Sequence, residues 1–288
     1  MMRKQKSSRM IFQIINYSIL VLLAALTLYP FIFVASASLS DSNALIRGEI
    51  SLFPKGITLD AYEKVFKFPL IWSSYKNTIL YTTIGTVVNV VLTAFGAYAL
   101  SRTRFYGRRF FSLLILVTML FNAGMIPTFL VIKQLNLYNN FWVMILPSAI
   151  SAYNLFVMKT FFEQIPAELE ESATIDGCNE IGILFKIIFP LSKASLMTIG
   201  MFYAVGHWNS FFSALIYLKD SDKYPLQIML RQVVLANDIS DQVSEGTRVF
   251  AESIKYAVIM VATLPILMVY PFIQKYFVKG VMIGAVKG

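Results

Sequence analysis

A helix needs roughly 20 consecutive apolar residues to cross the hydrocarbon core of a bilayer. Inside lipid, each spanning element must also satisfy its own backbone polar groups. Six stretches of this 288-residue chain meet the length condition: about Ile11 to Ala37, Asn77 to Leu100, Phe110 to Ile132, Phe141 to Phe162, Ala194 to Leu218 and Ile254 to Val278. They predict an all-α polytopic membrane protein with six transmembrane helices, folded as one transmembrane domain over residues 1–288. Pro147 interrupts the fourth run, and Pro265 and Pro271 the sixth. Neighbouring helices can re-satisfy the groups such prolines free. Composition excludes the rival classes, because 57% of residues are apolar and only 14% charged, against about 25% charged in soluble domains.

Basic residues set the orientation. Arg3, Lys4, Lys6 and Arg9 form one dense cluster, and Arg102, Arg104, Arg108 and Arg109 form another. Two spans separate them, so both lie on one face, which the positive-inside rule makes cytoplasmic. The N-terminus and the C-terminal tail with Lys279 and Lys287 are then cytoplasmic too. Ala35-Ser36-Ala37 looks like a signal-peptide cleavage site, but the run before it is well above the ~7–15 residues of a signal core, so an uncleaved helix is expected. Segments 39–76 and 219–255 read as polar, partly helical external loops.

Several functions are excluded by residue inventory. With Cys178 and His207 each alone of its kind, there is no intrachain disulfide and no His/Cys zinc site; neither catalytic nor metal-binding residues are expected. No Gly-x-x-x-x-Gly-Lys-Ser/Thr string occurs to hold nucleotide phosphates, so the chain binds no cofactor of this kind. The net charge of +9 is spread over short gaps between apolar runs, unlike the concentrated basic surface of a nucleic-acid binder. Proton- and sodium-driven carriers hold carboxylates near mid-membrane, and none lies well inside the six runs. The polar residues there are neutral amides beside aromatic rings, a combination suited to the hydroxyls and C–H faces of sugars. Asn122, Tyr153, Asn154, Tyr203, Trp208 and Asn209 are the candidate substrate-pathway residues, next to Asn89, Tyr98 and His207. Polar groups between spans also serve as interhelical hydrogen bonds, the role expected of His207.

The segment from Glu163 to Pro190 is far longer than a hairpin between spans needs. Pro166 suits the first turn of a helix, and Glu168, Glu170 and Glu171 complement the positive end of its dipole. Asp176-Gly177 breaks the run. A second amphipathic stretch follows, with Ile181, Leu184 and Ile187–Ile188 on one side, and Pro190 ends it. Its acidity argues against adhesion to an anionic leaflet and for a protein partner docking on the helix pair.

This segment resembles the EAA loop of bacterial ABC importer permeases: Glu171, Ala173, Asp176, Gly177, Ile187 and Pro190 stand at that motif's spacing. Ser172 and Cys178 replace alanines of the pattern, and Leu184 a common phenylalanine. Ala97-Tyr98-Ala99-Leu100-Ser101-Arg102 with Phe105, Gly107 and Arg108 is similar to the carbohydrate-uptake branch, as are 135–140, Trp208-Asn209 and 284–288. Within that branch the match is to the smaller, maltose-type permease. The stretch Ser38 to Leu59 resembles permeases for complex or polymeric saccharides.

The resemblance implies a permease subunit in a bacterial cell membrane, importing oligosaccharides or complex saccharides. Its partners would be a second homologous permease, two ATPase subunits that carry ATP and Mg, an extracellular solute-binding protein and membrane lipid. Glu171, Ala173, Asp176, Gly177, Leu184 and Pro190 would couple it to the ATPase, and Trp208-Asn209 gain weight as substrate contacts. The alternative is a stand-alone secondary sugar carrier or channel, which needs no docking loop.

Overall fold

The computed structural model describes residues 2–239, 253–269 and 271. The tail with Lys279 and Lys287, and the end of the expected sixth span, lie outside the described residues. All the regular structure described is helical.

Helix α1 spans Met2–Ser38 and passes Pro30 without interruption. From Met10 to Ile32 its apolar residues are exposed all round, as a lipid-facing helix requires. Short helices α2 (Ser42–Ile46) and α3 (Asp60–Lys67) follow, then α4 (Pro69–Ser101). Next come α5 (Arg108–Leu120) and α6 (Met125–Gln134). Two 3-10 turns, Phe141–Met144 and Leu146–Ser148, lead into α7 (Ala152–Glu163). Then follow α8 (Ala167–Ile175), α9 (Glu180–Ile183), a π-helical turn Leu184–Ile188 and α10 (Phe189–Leu191). The remainder is α11 (Lys193–Trp208), α12 (Phe212–Tyr217), a 3-10 turn Ser221–Lys223, α13 (Leu226–Ile239) and α14 (Ser253–Val269).

Among the described residues, only α1 and α4 are single helices long and apolar enough to cross a membrane. Three expected spans are broken. The run Phe110 to Ile132 is two helices bent by 117°. Gly124 takes a φ of 86° there, Asn122 Oδ1 accepts the Gly124 N–H at 3.0 Å, and Pro127 sits in the first turn of α6, where its missing N–H costs nothing. The run Phe141 to Phe162 bends by 56° after Pro147, and Ser151 caps the restart by accepting the Asn154 N–H. The run Ala194 to Leu218 stops at Trp208 and resumes at Phe212. The second span starts eight residues before Asn77, because Pro69 can open a helix at its first position.

The packing divides into two compact units. In one, the chain up to Pro69 joins 230–264. The 39–59 loop closes on itself through Thr58 N–H to Leu39 O and Asp41 N–H to Lys55 O, both 3.0 Å. Ser38 Oγ meets Tyr62 Oη at 2.8 Å, and Ser42 Oγ meets Ser253 Oγ at 2.8 Å.

The other unit, within 70–229, has two apolar clusters. Tyr81, Ile132, Val143, Met144, Tyr217 and Ile228 form one. Beside it Asn136 and Asn139 adopt φ of 54° and 57°, a conformation asparagine tolerates. Asn139 knits 135–140 to 217–223: its Oδ1 accepts the Lys219 and Asp220 N–H groups and its Nδ2 donates to Asp220 Oδ2. Lys223 and that amide hold the Asp220 carboxyl below its ordinary value. The second cluster joins Ala94, Ala97 and Tyr98 of α4 to Met158, Phe162, Ile183, Leu184, Ile188, Ile199 and Tyr203. Helix α4 buries Ser74, Thr78, Gly85, Asn89, Thr93, Ala97 and Ser101, a stripe of mostly small residues that allows close helix approach.

Candidate coupling loop and polar cavity

The acidic segment after α7 is built as the sequence predicts, as two helical pieces around a glycine. Pro166 caps α8, and Gly177 takes a φ of 81°. Asn179 Oδ1 accepts the Gly182 N–H at 2.8 Å and starts the second piece. That piece runs from Glu180 to Leu191 and meets α11 at 86°. Pro190 therefore lies within the final helical turn, one residue before the stop. The apolar face is shifted from expectation: Ile183, Leu184 and Ile188 are buried, whereas Ile181 is exposed. The π-helical turn Leu184–Ile188 changes the register that uniform α-helical spacing assumes.

Three arginines between the end of α4 and the start of α5 hold this loop, each reaching a glutamate on a different helix. Arg102 Nη1 lies 2.5 Å from Glu170 Oε1 on α8. Arg104 pairs with Glu180 on α9, and Arg108 with Glu163 at the end of α7. Lys159 joins Glu163 at 3.0 Å, Tyr98 Oη donates to Glu180 Oε2 at 2.9 Å, and the Arg102 guanidinium stacks 4.8 Å above the Tyr98 ring.

The pairs differ in burial. Arg102 and Glu170 side chains are 12% and 9% exposed, against 51% and 57% for Arg104 and Glu180. Exposed pairs contribute about 0–1 kcal/mol, whereas breaking a buried pair by removing one partner costs about 3–5 kcal/mol. Burial pushes the Glu170 carboxyl above its ordinary value although Arg102 and Arg104 pull it down. Arg102 Nε and Nη2 are buried with no hydrogen-bond partner among the described residues.

The predicted coupling residues divide between two sides. Ala173 and Leu184 pack into the second cluster. Glu171, Asp176, Gly177 and Pro190 are exposed, and Glu171 makes no ion pair among the described residues. Leu169 and Ile175 add exposed apolar surface to α8. A cleft of about 1000 Å3 runs along α8, lined by Arg102, Arg104, Glu168 and Glu171 among others.

A polar cavity of about 430 Å3 lies between α4, α7 and α11. Asn154, Tyr203 and Asn209, three of the six predicted pathway residues, line it with Asn89, Ser148, Ser151 and His207. The other three lie elsewhere: Asn122 at the α5–α6 break, Tyr153 56% exposed on α7, and Trp208 outside the cavity lining. Asn89 Nδ2 donates to Ser148 O at 3.3 Å and meets His207 Nε2 at 3.1 Å, so His207 makes the interhelical bond expected of it. Tyr203 Oη meets Thr93 Oγ1 at 2.7 Å and accepts the Ser151 N–H at 2.9 Å. Asn89 Oδ1 is buried, with no hydrogen-bond partner among the described residues.

Sequence reasoning read the arginines for topology and did not pair them. Their spacing from three loop glutamates in the folded state carries no local pattern.

Residues 89–283 match the family described as binding-protein-dependent transport system inner membrane component. The chain is 45% identical over 283 residues to the polygalacturonan/rhamnogalacturonan transport system permease protein YtcP of Bacillus subtilis (strain 168), covering 96% of this chain and 99% of that protein. It is 44% identical over 290 residues to protein LplC of the same strain, covering 100% and 98%. A solved bacterial ABC transporter for import of the acidic polysaccharide alginate contains a chain of 39% identity and TM-score 0.87, with 94% of this chain and 98% of that chain covered. The chain therefore belongs to the inner membrane component family of binding-protein-dependent transport systems.

Proposed function

We propose that this chain is the permease subunit of an ATP-driven bacterial importer for oligosaccharides or complex saccharides. As one transmembrane domain it forms half of the translocation pathway, beside a second homologous permease. Two ATPase subunits carry the ATP and Mg, and an extracellular solute-binding protein delivers the saccharide. Both termini and the arginine-rich ends face the cytoplasm. A relative named for polygalacturonan/rhamnogalacturonan transport and a solved transporter for import of the acidic polysaccharide alginate support the substrate class.

The observation that carries the coupling half of this reading is the divided surface of α8. Glu170 is sunk onto Arg102, while its neighbour Glu171 is exposed and unpaired among the described residues. A helix fixed on one side and open on the other can accept force from a partner and pass it inward. Coupling of this kind requires a physical element that both sites bias. The loop would seat on an ATPase through Glu171, Asp176 and the apolar Leu169 and Ile175, with Ala173 and Leu184 holding it to the spans.

The test begins with the native complex. Gentle extraction of the tagged chain should recover a second permease and an ATPase in fixed ratio; a chain that emerges alone would favour the stand-alone carrier. In the reconstituted complex, Glu171→Lys should lower saccharide uptake on the order of ten-fold, within the range of coupling between sites. ATP hydrolysis should then lose its dependence on the loaded binding protein, while membrane insertion is kept. Undiminished uptake removes the coupling role.

The polar cavity supports a substrate path through Asn89, Asn154, Tyr203 and Asn209. Amide and hydroxyl groups of this lining can exchange hydrogen bonds with sugar hydroxyls. Replacing Asn154 by leucine deletes an amide from a buried polar lining, so transport should fall about ten-fold with normal amounts of assembled complex. Equal loss of assembly and transport would make Asn154 structural.

A further inference from the structure

We propose that the groove between α5 and α7 binds the headgroup of an anionic phospholipid, with one acyl chain running down its apolar wall. The groove encloses about 860 Å3 and is lined at one end by Arg104, Arg108, Arg109 and Lys159. Two carboxylates offset this charge, Glu180 at Arg104 and Glu163 shared by Arg108 and Lys159. Four cations against two anions leave an excess of two positive charges. Arg109 is exposed and makes no ion pair among the described residues.

Both walls change from charged to apolar in the same direction. On α5 the arginines are followed by Ser112, then by Leu113 and Leu116, which are 61% and 43% exposed. Arg109 and Leu116 are seven residues apart, about 10 Å along a helix axis. That matches the step from headgroup level into the acyl region. On α7, which runs the opposite way through the groove, Lys159 stands at the charged end and Phe156 lies one turn deeper. A soluble anion uses only the cations. A water-filled protein interface has no use for the leucine wall. The pairing of phosphate-binding groups with a lipid-facing apolar channel fits one ligand class, a diacyl lipid with a negative headgroup. Basic pockets between spans have this selectivity.

The first turn of α5 adds to the attraction. It contains Arg108 and Arg109, has no acidic residue, and has no side-chain cap. Cations at a helix N-terminus oppose its dipole, and a phosphate group placed there relieves both.

The test is native mass spectrometry of the intact, detergent-purified complex after incubation with phosphatidylglycerol or phosphatidylcholine. The wild-type complex should retain phosphatidylglycerol and not phosphatidylcholine. The Arg109→Gln/Lys159→Gln variant should bind it on the order of thirty-fold more weakly, from about five-fold for each juxtamembrane cation removed. The charge-keeping variant Arg109→Lys/Lys159→Arg should retain it, which separates lost charge from lost folding. Equal retention of both lipids, or unchanged retention by the glutamine variant, overturns the proposal. Displacement of the lipid by inorganic phosphate alone would assign the groove to a free anion and also overturn it. So would loss of the ATPase subunit from the glutamine variant with lipid retained, because the cations would then belong to a protein interface.

Discussion

Reversing the charge at Arg102 should abolish uptake, and reversing Glu170 as well should restore much of it. Arg102→Glu places two carboxylates where the native loop has an ion pair 2.5 Å long, with side chains 12% and 9% exposed. Losing the partner of a buried charge costs about 3–5 kcal/mol, which exceeds anything the exposed Arg104–Glu180 pair can offset. Helix α8 would then leave the end of α4, and its movement would no longer reach the spans. The Arg102→Glu/Glu170→Arg double variant keeps the pair with its polarity exchanged. The readouts are saccharide uptake and protease resistance of the 163–190 loop in the assembled complex. A double variant no better than either single change would show that the two residues act apart.

Glu170→Gln gives a second reading of the same pair. The Glu170 carboxyl is held above its ordinary value by burial, so the folded state binds its proton more tightly than the unfolded chain does. Stability therefore falls as pH rises from the unfolded carboxylate value through the folded one. The glutamine variant lacks this contribution. Compared with it, the wild-type complex should show the steeper loss of thermal stability over that window. Parallel pH profiles would mean that Glu170 is solvated.

The apolar runs predicted where apolar helices lie better than where they break. Hydropathy responds to the mean character of a window, and Phe121-Asn122-Ala123-Gly124 is too short to lower it. The break there depends on one asparagine oxygen meeting one glycine N–H and on a positive φ at Gly124. Pro127 was the available clue, because proline two residues into a helix marks a start. At Pro147 the same logic was visible and the bend of 56° follows.

The loop was the more legible part. Pro166, the acidic first turn and Asp176-Gly177 each act through local backbone physics, so their positions alone sufficed to place two helices. The π-helical turn at Leu184–Ile188 was not legible, and it moved the buried face from Ile181 to Ile183. Arg102, Arg104 and Arg108 carried two messages. Their density predicts an orientation through a rule that counts charge, and their individual partners emerged only once α7, α8 and α9 each presented a glutamate to them. In the polar cavity Asn154, Tyr203 and Asn209 came together, but Trp208 did not follow its neighbour. Adjacent residues on a helix face about 100° apart, so a two-residue motif cannot place both side chains in one site.

Gly85→Val should prevent assembly altogether, and Gly85→Ala should impair it. A Cβ at Gly85 would lie 2.5 Å from His207 Nε2, 2.7 Å from Cε1 and 2.8 Å from Cδ2. These are the tip atoms of an imidazole that is 5% exposed and bonded to Asn89 at 3.1 Å. Turning the ring away breaks that bond and leaves Asn89, whose Oδ1 already lacks a partner among the described residues, with one fewer. Retaining the ring instead forces α4 and α11 apart. Overpacking of this kind costs about 1–3 kcal/mol, and an interhelical hydrogen bond in a membrane adds about 0.6 kcal/mol. Valine adds two methyl groups beyond that Cβ, so it overpacks the approach more than alanine does. The decisive comparison is Gly85→Ala with and without His207→Ala, read as the amount of assembled complex. Truncating the ring supplies the volume the new methyl needs, so the double variant should assemble better than Gly85→Ala alone, despite losing the Asn89 contact. A Gly85→Ala chain that assembles as well as wild type would show that the helices have room to spare. A double variant that fails like the single would place the fault in the α4 backbone. If assembly recovers without transport, the imidazole is needed in the cavity itself, beyond its role in holding two helices together.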